Sequence, residues 1–188
     1  MTKKRIHFLM EAIVIAAIIV SDLLLKAYAE DNLDNLVGRT VPLISGLLSM
    51  TYVQNRGAAF GIFQGGRPFF IVITIIAFFI FFFLLYKKRD GHFLFRFSLS
   101  LIIGGTAGNF ADRVKLGYMR DMLNFDFIEF PVFNIADAAL TVGATLICIY
   151  FLFVYKEPGR IGAGDGLADG SAKADGEGDG AAPGESGK

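Results

Sequence analysis

Cysteine, histidine and tryptophan are scarce in this chain of 188 residues, which has one Cys, two His and no Trp. Because Cys148 has no partner in the sequence, a disulfide framework and a Cys-based metal site are both excluded. We expect Cys148 to be packed as a small hydrophobe. His7 and His92 each flank an apolar stretch, which indicates interfacial positions rather than metal ligands. We therefore predict neither a metal site nor a cofactor.

Apolar residues are abundant instead. Hydrophobic residues make up 54% of the chain, twenty of them Phe, and the mean hydropathy is +0.53. This composition is too apolar for a soluble domain of the same size, and it indicates an integral membrane protein. The formal net charge of zero indicates nothing about partners.

Four apolar segments are long enough to cross a bilayer, which requires about 20 residues for ~30 Å of hydrocarbon. The predicted spans are residues 8–29, 68–86, 93–110 and 136–155. The third is the least hydrophobic, because Arg96 and the small residues Gly104 to Gly108 dilute it. Small residues at that density let helix backbones approach closely. The predicted fold is therefore an all-α membrane protein with four transmembrane helices.

Basic clusters fix the expected orientation. Lys3 to Arg5 precede the first span, and Lys87 to Arg89 join the second to the third. Such clusters stay on the cytoplasmic side, so four spans place both termini in the cytoplasm. The longer connections, residues 30–67 and 112–131, then lie outside.

The first span has two alternative interpretations. Its basic start and the string Ala27-Tyr28-Ala29 are also typical of a cleavable signal peptide, and cleavage would leave three spans in the same orientation. Asp22 and Lys26 argue against cleavage, since residues four apart on a helix can pair. The other alternative is a serine nucleophile, Ser21, paired with Lys26. A separation of five residues, however, places the two side chains about 140° apart around the helix axis, which is unfavourable for a hydrogen bond.

The remaining segments divide the chain into two parts. Strand-forming residues from Ser49 to Gln54 predict a small extracytoplasmic β element between helices 1 and 2, within Leu47 to Phe63. Residues 1–158 form the predicted membrane domain. Residues 159–188 are rich in Gly and Asp and lack apolar residues for a core, so we predict a disordered cytoplasmic tail.

Acids and amides gather at the predicted outer end of the spans. They are Asp22, Asp112, Asp121, Asp137, Asn55, Asn109 and Asn134. An ionised side chain near hydrocarbon costs about 3 kcal/mol or more, so such residues are functional or paired by default. Without His or Cys, the cluster fits proton or cation transport, hard-metal binding by oxygens, or hydrolysis by two carboxylates. Two adjacent carboxyl groups share a proton, so that one takes a proton from water while the other donates one.

Each acid also has a purely structural interpretation. Asp112 can pair with Arg113 at a helix end. Asp137 can be a first-turn acid favoured by the helix dipole, with Asn134 as its N-cap. Asp121 can be an ordinary loop acid.

Four motifs in order resemble the bacterial lipoprotein signal peptidase family, signal peptidase II. They are Asp22-x-x-x-Lys26, the string from Asn55 to Gly61, the string from Gly104 to Arg113, and Phe133-Asn134-Ile135-Ala136-Asp137. The resemblance covers about Glu11 to Tyr155. It implies a four-helix aspartic peptidase of the bacterial inner membrane, which cleaves prolipoproteins just before a cysteine that already carries diacylglycerol.

The resemblance also implies roles for individual residues. The catalytic pair falls on Asp121 and Asp137, although Arg120 replaces an apolar residue usual in the family. Asp126, between Phe125 and Phe127, is the alternative to Asp121. The implied supporting residues are Asn55, Asn109, Asp112, Arg113 and Asn134, and the implied structural pair is Asp22 and Lys26.

The implied partners are lipid-modified prolipoproteins and membrane lipids, without nucleic acid, and we expect a monomer. Because acyl chains in the bilayer hold the scissile bond at the membrane surface, the active site is expected at the extracytoplasmic face. The alternative function is a small carboxylate-based ion or proton carrier. Carrier sites lie near the middle of the spans, whereas these acids gather at one end and the sequence has no evident internal repeat.

Overall fold

A computed structural model describes residues 3–34, 40–57 and 67–155. The helices are α1 (Lys3–Leu33), α2 (Arg67–Lys87), α3 (Phe93–Lys115) and α4 (Ile135–Ile149), which continues as a π-helix over Tyr150–Val154. The strands are β1 (Val41–Ile44), β2 (Leu48–Asn55) and β3 (Met119–Phe125). The predicted tail and the last residues of the predicted β element lie outside the described residues.

Four helices in the described ranges are long and apolar enough to cross a membrane, as predicted. α1 extends beyond its predicted span at both ends, and α3 ends at Lys115 instead of residue 110. α3 is the central helix, since most of its span is buried and it packs against α1, α2 and α4. Asp112 therefore lies inside the helix and is buried.

Glycines on α3 allow this close packing. A Cβ atom at Gly105 would lie 2.4 Å from the carbonyl oxygen of Ala136 on α4, and one at Gly108 would lie 2.5 Å from Oδ2 of Asp22 on α1. Both distances are far below van der Waals contact. The polar residues of three helices are thereby brought within hydrogen-bonding reach of one another.

Gly105→Ala is expected to destabilise the bundle by roughly 1–3 kcal/mol, the usual effect of overpacking. The obstacle is backbone, so a change of side-chain rotamer cannot relieve the clash. Thermal unfolding in detergent measures the effect, with Leu24→Ala on the exposed side of α1 as the control. If Gly105→Ala and the control unfold at the same temperature, the close approach of α3 and α4 is wrong.

The strands form one antiparallel sheet in the order β1-β2-β3. The predicted β element contains β2, but the prediction was incomplete, because β1 precedes its bounds and β3 comes from the connection between α3 and α4. Asp121 lies within β3, so its interpretation as a loop acid was wrong. The first five residues of β3 are all buried, so the strand lacks the apolar–polar alternation by which a half-buried strand is recognised.

Cys148 and Arg96 have surroundings that the sequence did not predict. Cys148 is exposed, because this part of α4 faces away from the bundle, and the prediction that it is packed was wrong. Arg96, the charge that weakens the third span, is buried in an ion pair with Glu11 and is also hydrogen-bonded to His7. The charge in α3 is therefore neutralised by α1.

Candidate active site

Asp121 and Asp137 are joined through two asparagine side chains. Nδ2 of Asn134 donates to Oδ1 of Asp121 at 2.7 Å and to Oδ1 of Asn109 at 3.1 Å. Nδ2 of Asn109 donates to Oδ1 of Asp137 at 2.7 Å. Acids from β3 and α4 thus belong to one hydrogen-bonded network, in which Asn109 of α3 is the central residue.

The start of α4 orients Asp137. Its backbone N–H donates to Oδ1 of Asn134 at 2.8 Å, and the backbone N–H of Asn134 donates to Oδ2 of Asp137 at 3.3 Å. This reciprocal pair is a capping box. The predicted N-cap role of Asn134 is confirmed, and the same geometry leaves Oδ1 of Asp137 directed at Asn109. Asn134 and Asp137 therefore cap α4 and also belong to the hydrogen-bonded network of the site.

Asn55, the last residue of β2, completes the surroundings of Asp121. Its Nδ2 donates to Oδ2 of Asp121 at 2.9 Å, while its own Oδ1 accepts from the N–H of Gly57 at 3.0 Å. Each carboxylate oxygen of Asp121 therefore accepts from one amide, and the side chain is buried.

Burial governs the ionisation of Asp121. It raises the pKa of this carboxyl to about 6, with the hydrogen bond from Asn55 lowering the pKa and the charge of Asp137 raising it. Asp121 can consequently hold a proton near pH 6, at which an exposed aspartate is ionised.

The predicted pair of Asp22 and Lys26 forms and is fully buried, with 2.7 Å between Nζ of Lys26 and Oδ2 of Asp22. Nζ also donates to Oδ1 of Asn109 at 3.2 Å and lies 3.4 Å from Oδ2 of Asp112. Oδ1 of Asp22 accepts from the backbone N–H of Ala136 at 2.9 Å. The pair thus connects α1 to Asn109 and to the start of α4.

Two neighbouring residues have partners that the sequence interpretations did not include. Ser21 is exposed and donates to the carbonyl of Ile18, whereas Lys26 is buried and paired with Asp22. Asp112 binds Arg120 through both of its carboxylate oxygens. The guanidinium of Arg113 lies 5.0 Å from the centre of the Phe70 ring.

Asp126, the alternative to Asp121, has different surroundings. It is exposed and accepts from Oγ of Ser49 at 2.5 Å and from Nδ2 of Asn124 at 3.4 Å. Neither partner belongs to the asparagine network, whereas Asp121 is bonded to Asn55 and Asn134. The geometry therefore favours Asp121 as the partner of Asp137.

A cavity of about 790 Å³ adjoins both acids. Its polar lining includes Asn55, Asn109, Arg113, Asp121 and Asp137, and its apolar lining comes from α2, α4 and residues 125–133. A mostly apolar cavity with a few convergent polar groups is typical of a ligand site. Among the described residues, no three His, Cys, Asp or Glu side chains are grouped so as to hold a metal ion.

The fold and the site define a class: a multi-pass membrane protein whose ligand cavity is lined by an asparagine-bridged pair of aspartates. Residues 14–153 match the family described as signal peptidase (SPase) II. The chain belongs to this family, which consists of aspartic peptidases, and the predicted resemblance is confirmed.

Relatives and solved structures agree with this assignment. The lipoprotein signal peptidase of Lactobacillus johnsonii is 44% identical over 145 residues, which are 77% of this chain and 93% of that protein. The lipoprotein signal peptidase of Lactiplantibacillus plantarum is 41% identical over 137 residues, 73% and 90% of the two chains. A solved bacterial membrane enzyme is 31% identical with a TM-score of 0.67, covering 76% of this chain and 87% of that one.

Proposed function

We propose that this enzyme removes the signal peptide from diacylglyceryl-modified prolipoproteins by cleaving before the lipidated cysteine, with Asp121 and Asp137 as its catalytic residues. The observation that carries the proposal is that both carboxyl groups belong to one asparagine-bridged network and line one cavity. The family assignment independently indicates this reaction. A carrier is disfavoured, because Asp121 lies on β3, beyond the end of α3, and Asp137 lies in the first turn of α4, rather than near the middle of a span.

The pair supplies both an acid and a base. The ionised carboxylate takes a proton from a water molecule, whose oxygen attacks the scissile carbonyl carbon while the protonated carboxyl donates to the carbonyl oxygen. The resulting tetrahedral diol collapses as the C–N bond breaks: the newly protonated carboxyl donates its proton to the departing amine, and the other carboxylate takes back a proton from one diol hydroxyl. Asn109 and Asn134 hold the two carboxyl groups throughout. The two apparent pKa values belong to the pair and not to either residue.

The cavity suits a substrate that lies partly in the membrane. Acyl chains on the cysteine hold the scissile bond at the bilayer surface. Apolar walls from α2 and α4, including Ile73, Ala77 and Leu140, match an apolar signal helix that enters laterally between spans. One complete set of site residues in one chain supports a monomer as the working unit.

The active site is proposed to face outward, with both termini in the cytoplasm. The exposed residues Lys87, Lys88 and Arg89 connect α2 to α3, whereas Asp121 follows the opposite end of α3. Basic connections remain cytoplasmic. Labelling of Lys88→Cys and Leu43→Cys in intact cells tests this, with the native Cys148 replaced by Ser. An impermeant maleimide is expected to label only the Leu43→Cys protein, and the reverse pattern contradicts the orientation.

Cleavage by purified protein in detergent tests the reaction. A diacylglyceryl-modified prolipoprotein is expected to be cut in the presence of a chelator, whereas its unmodified form is not. If neither form is cut, the proposed function is wrong. If the chelator abolishes cutting, the metal-independent mechanism is wrong.

The cleavage rate is expected to depend on pH through the shared proton. Because the mechanism needs one protonated carboxyl, kcat/KM falls as the pH rises through the upper apparent pKa of the pair. Burial raises the pKa of the Asp121 carboxyl to about 6 and so raises this upper value. Asn55→Ala removes a hydrogen bond that lowers this pKa, so the alkaline limb of the profile moves to higher pH. Initial rates from about pH 4.5 to 8.5 measure both effects. Asn32→Ala, an exposed amide on α1, is the control, and identical profiles for all three proteins contradict the assignment.

A further inference from the structure

Arg120 is the residue at which this chain departs from the apolar pattern of its family, and the structure shows what it contacts. Its side chain is nearly buried. Nη2 lies 2.7 Å from Oδ1 of Asp112, and Nε donates to Oδ2 of the same carboxylate at 3.2 Å. The planar guanidinium thus binds the carboxylate through two hydrogen bonds, a geometry that lysine cannot reproduce.

The same carboxylate also binds the backbone of Arg120. Oδ2 of Asp112 accepts from the backbone N–H of Arg120 at 3.0 Å. Side chain and main chain of one strand residue are therefore both fixed to the last turns of α3. Gly117, with φ of 85°, makes the turn that brings β3 back onto this helix.

Glu30 binds the outer side of the guanidinium. Its Oε2 lies 2.7 Å from Nη1 of Arg120, and its Oε1 accepts from the hydroxyl of Tyr52 at 3.3 Å. Arg120 consequently ties β3 to α3 and to the last turns of α1, while Tyr52 of β2 supports Glu30. Arg120 thereby gives both carboxylates a cationic partner, as partly buried charges require.

Asp121 comes directly after Arg120. Successive residues of a strand point to opposite faces of the sheet, so fixing Arg120 on one face sets where Asp121 lies on the other. The contacts follow this alternation, since Arg120 binds Asp112 and Glu30 while Asp121 binds Asn55 and Asn134. β2 is irregular between Met50 and Val53, next to the point at which Asp121 pairs with Val53, so the contacts of Arg120 with α3 and α1 add to the strand pairing that holds Asp121.

We propose that Arg120 is a positioning residue. It holds β3 against α3 and α1, so that the carboxyl group of Asp121 lies where the asparagine network joins it to Asp137. The inference rests on the proposed function. Arg120 lies on the far side of the strand from the cavity, so its effect is transmitted through the placement of Asp121. The guanidinium group of Arg120 thus replaces the apolar side chain that the family resemblance implies at this position.

Cleavage kinetics of Arg120→Lys and Glu30→Gln test the proposal against wild type on the lipidated substrate. Arg120→Lys keeps the positive charge but loses the two-point hydrogen bonding to Asp112, so kcat is expected to fall by about tenfold or more. KM is expected to stay within about twofold of the wild-type value. The alkaline limb of the pH profile is expected to shift, because the hydrogen bonds to Asp121 change. Glu30→Gln keeps both bonds to Asp112 and should lose less. Arg89→Lys, in an exposed pair with Asp90, is the matched control.

The outcomes separate this inference from the proposed function. If wild type cuts no prolipoprotein, the proposed function itself fails. If wild type cuts but Arg120→Lys, confirmed as folded by its thermal unfolding, keeps kcat and the pH profile of wild type, Arg120 does not position Asp121. A raised KM with unchanged kcat also overturns the proposal, since it would indicate a contact with substrate.

Discussion

Asp137→Asn is expected to lower the cleavage rate by roughly 10³-fold or more, because it removes one of the two groups proposed to transfer protons. An amide can neither take a proton from water nor donate one at neutral pH. Asn at this position can still accept hydrogen bonds through its single Oδ1, so the capping box is weakened without burying a new charge. Asp121→Asn is expected to lower the cleavage rate by a similar factor, since the pair acts as a unit.

Asp126→Asn is the matched control for this loss. Asp126 is exposed and bonded to Ser49 rather than to the asparagine network. The Asp126→Asn protein should therefore cleave at a rate within about twofold of wild type. Single-turnover cleavage of the lipidated substrate measures all three variants. An inactive Asp126→Asn protein beside an active Asp121→Asn protein would replace Asp121 by Asp126 in the mechanism.

Lys26→Met is expected to destabilise the protein by about 3–5 kcal/mol, the usual result of removing one partner from a buried ion pair. Lys26 is fully buried beside Asp22 and Asp112. Met fills a similar volume but leaves both carboxylates without this cation, and Asn109 loses a donor. Cleavage should fall together with stability, because Asn109 holds Asp137.

Thermal unfolding in detergent measures the stability of Lys26→Met. Lys115→Met, an exposed lysine at the end of α3, loses the same charge without unpairing a buried acid, so its midpoint should change little. Equal midpoints for the two variants would show that the buried pair contributes nothing to stability.

The parts of this fold that were predictable from sequence are those set by local pattern. Spans of about 20 apolar residues identify transmembrane helices because every backbone polar group there must be bonded within its own segment. The pair of Asp22 and Lys26 follows from a spacing of four on one helix. Asn134 and Asp137 follow from the pattern of a helix N-terminus.

The parts that were not predictable depend on contacts between distant segments. β3 is buried on both faces and carries polar residues with buried partners, so its sequence lacks the alternation of a surface strand. The partners of Arg120 were not predictable, because Glu30 lies 90 residues away in the chain and Asp112 is reached only through the turn between α3 and β3. The network joining Asp121 to Asp137 likewise requires Asn109, from a third element.

Cleavage by the double variant Asp121→Asn/Asp137→Asn, measured beside both single variants, tests the shared role of the two acids most directly. Residues that act as one unit have strongly non-additive effects. The double variant is therefore predicted to cleave the lipidated prolipoprotein no more slowly than either single variant. Two partial losses that multiply in the double variant, or one single variant that keeps the wild-type rate, would contradict a catalytic aspartate pair.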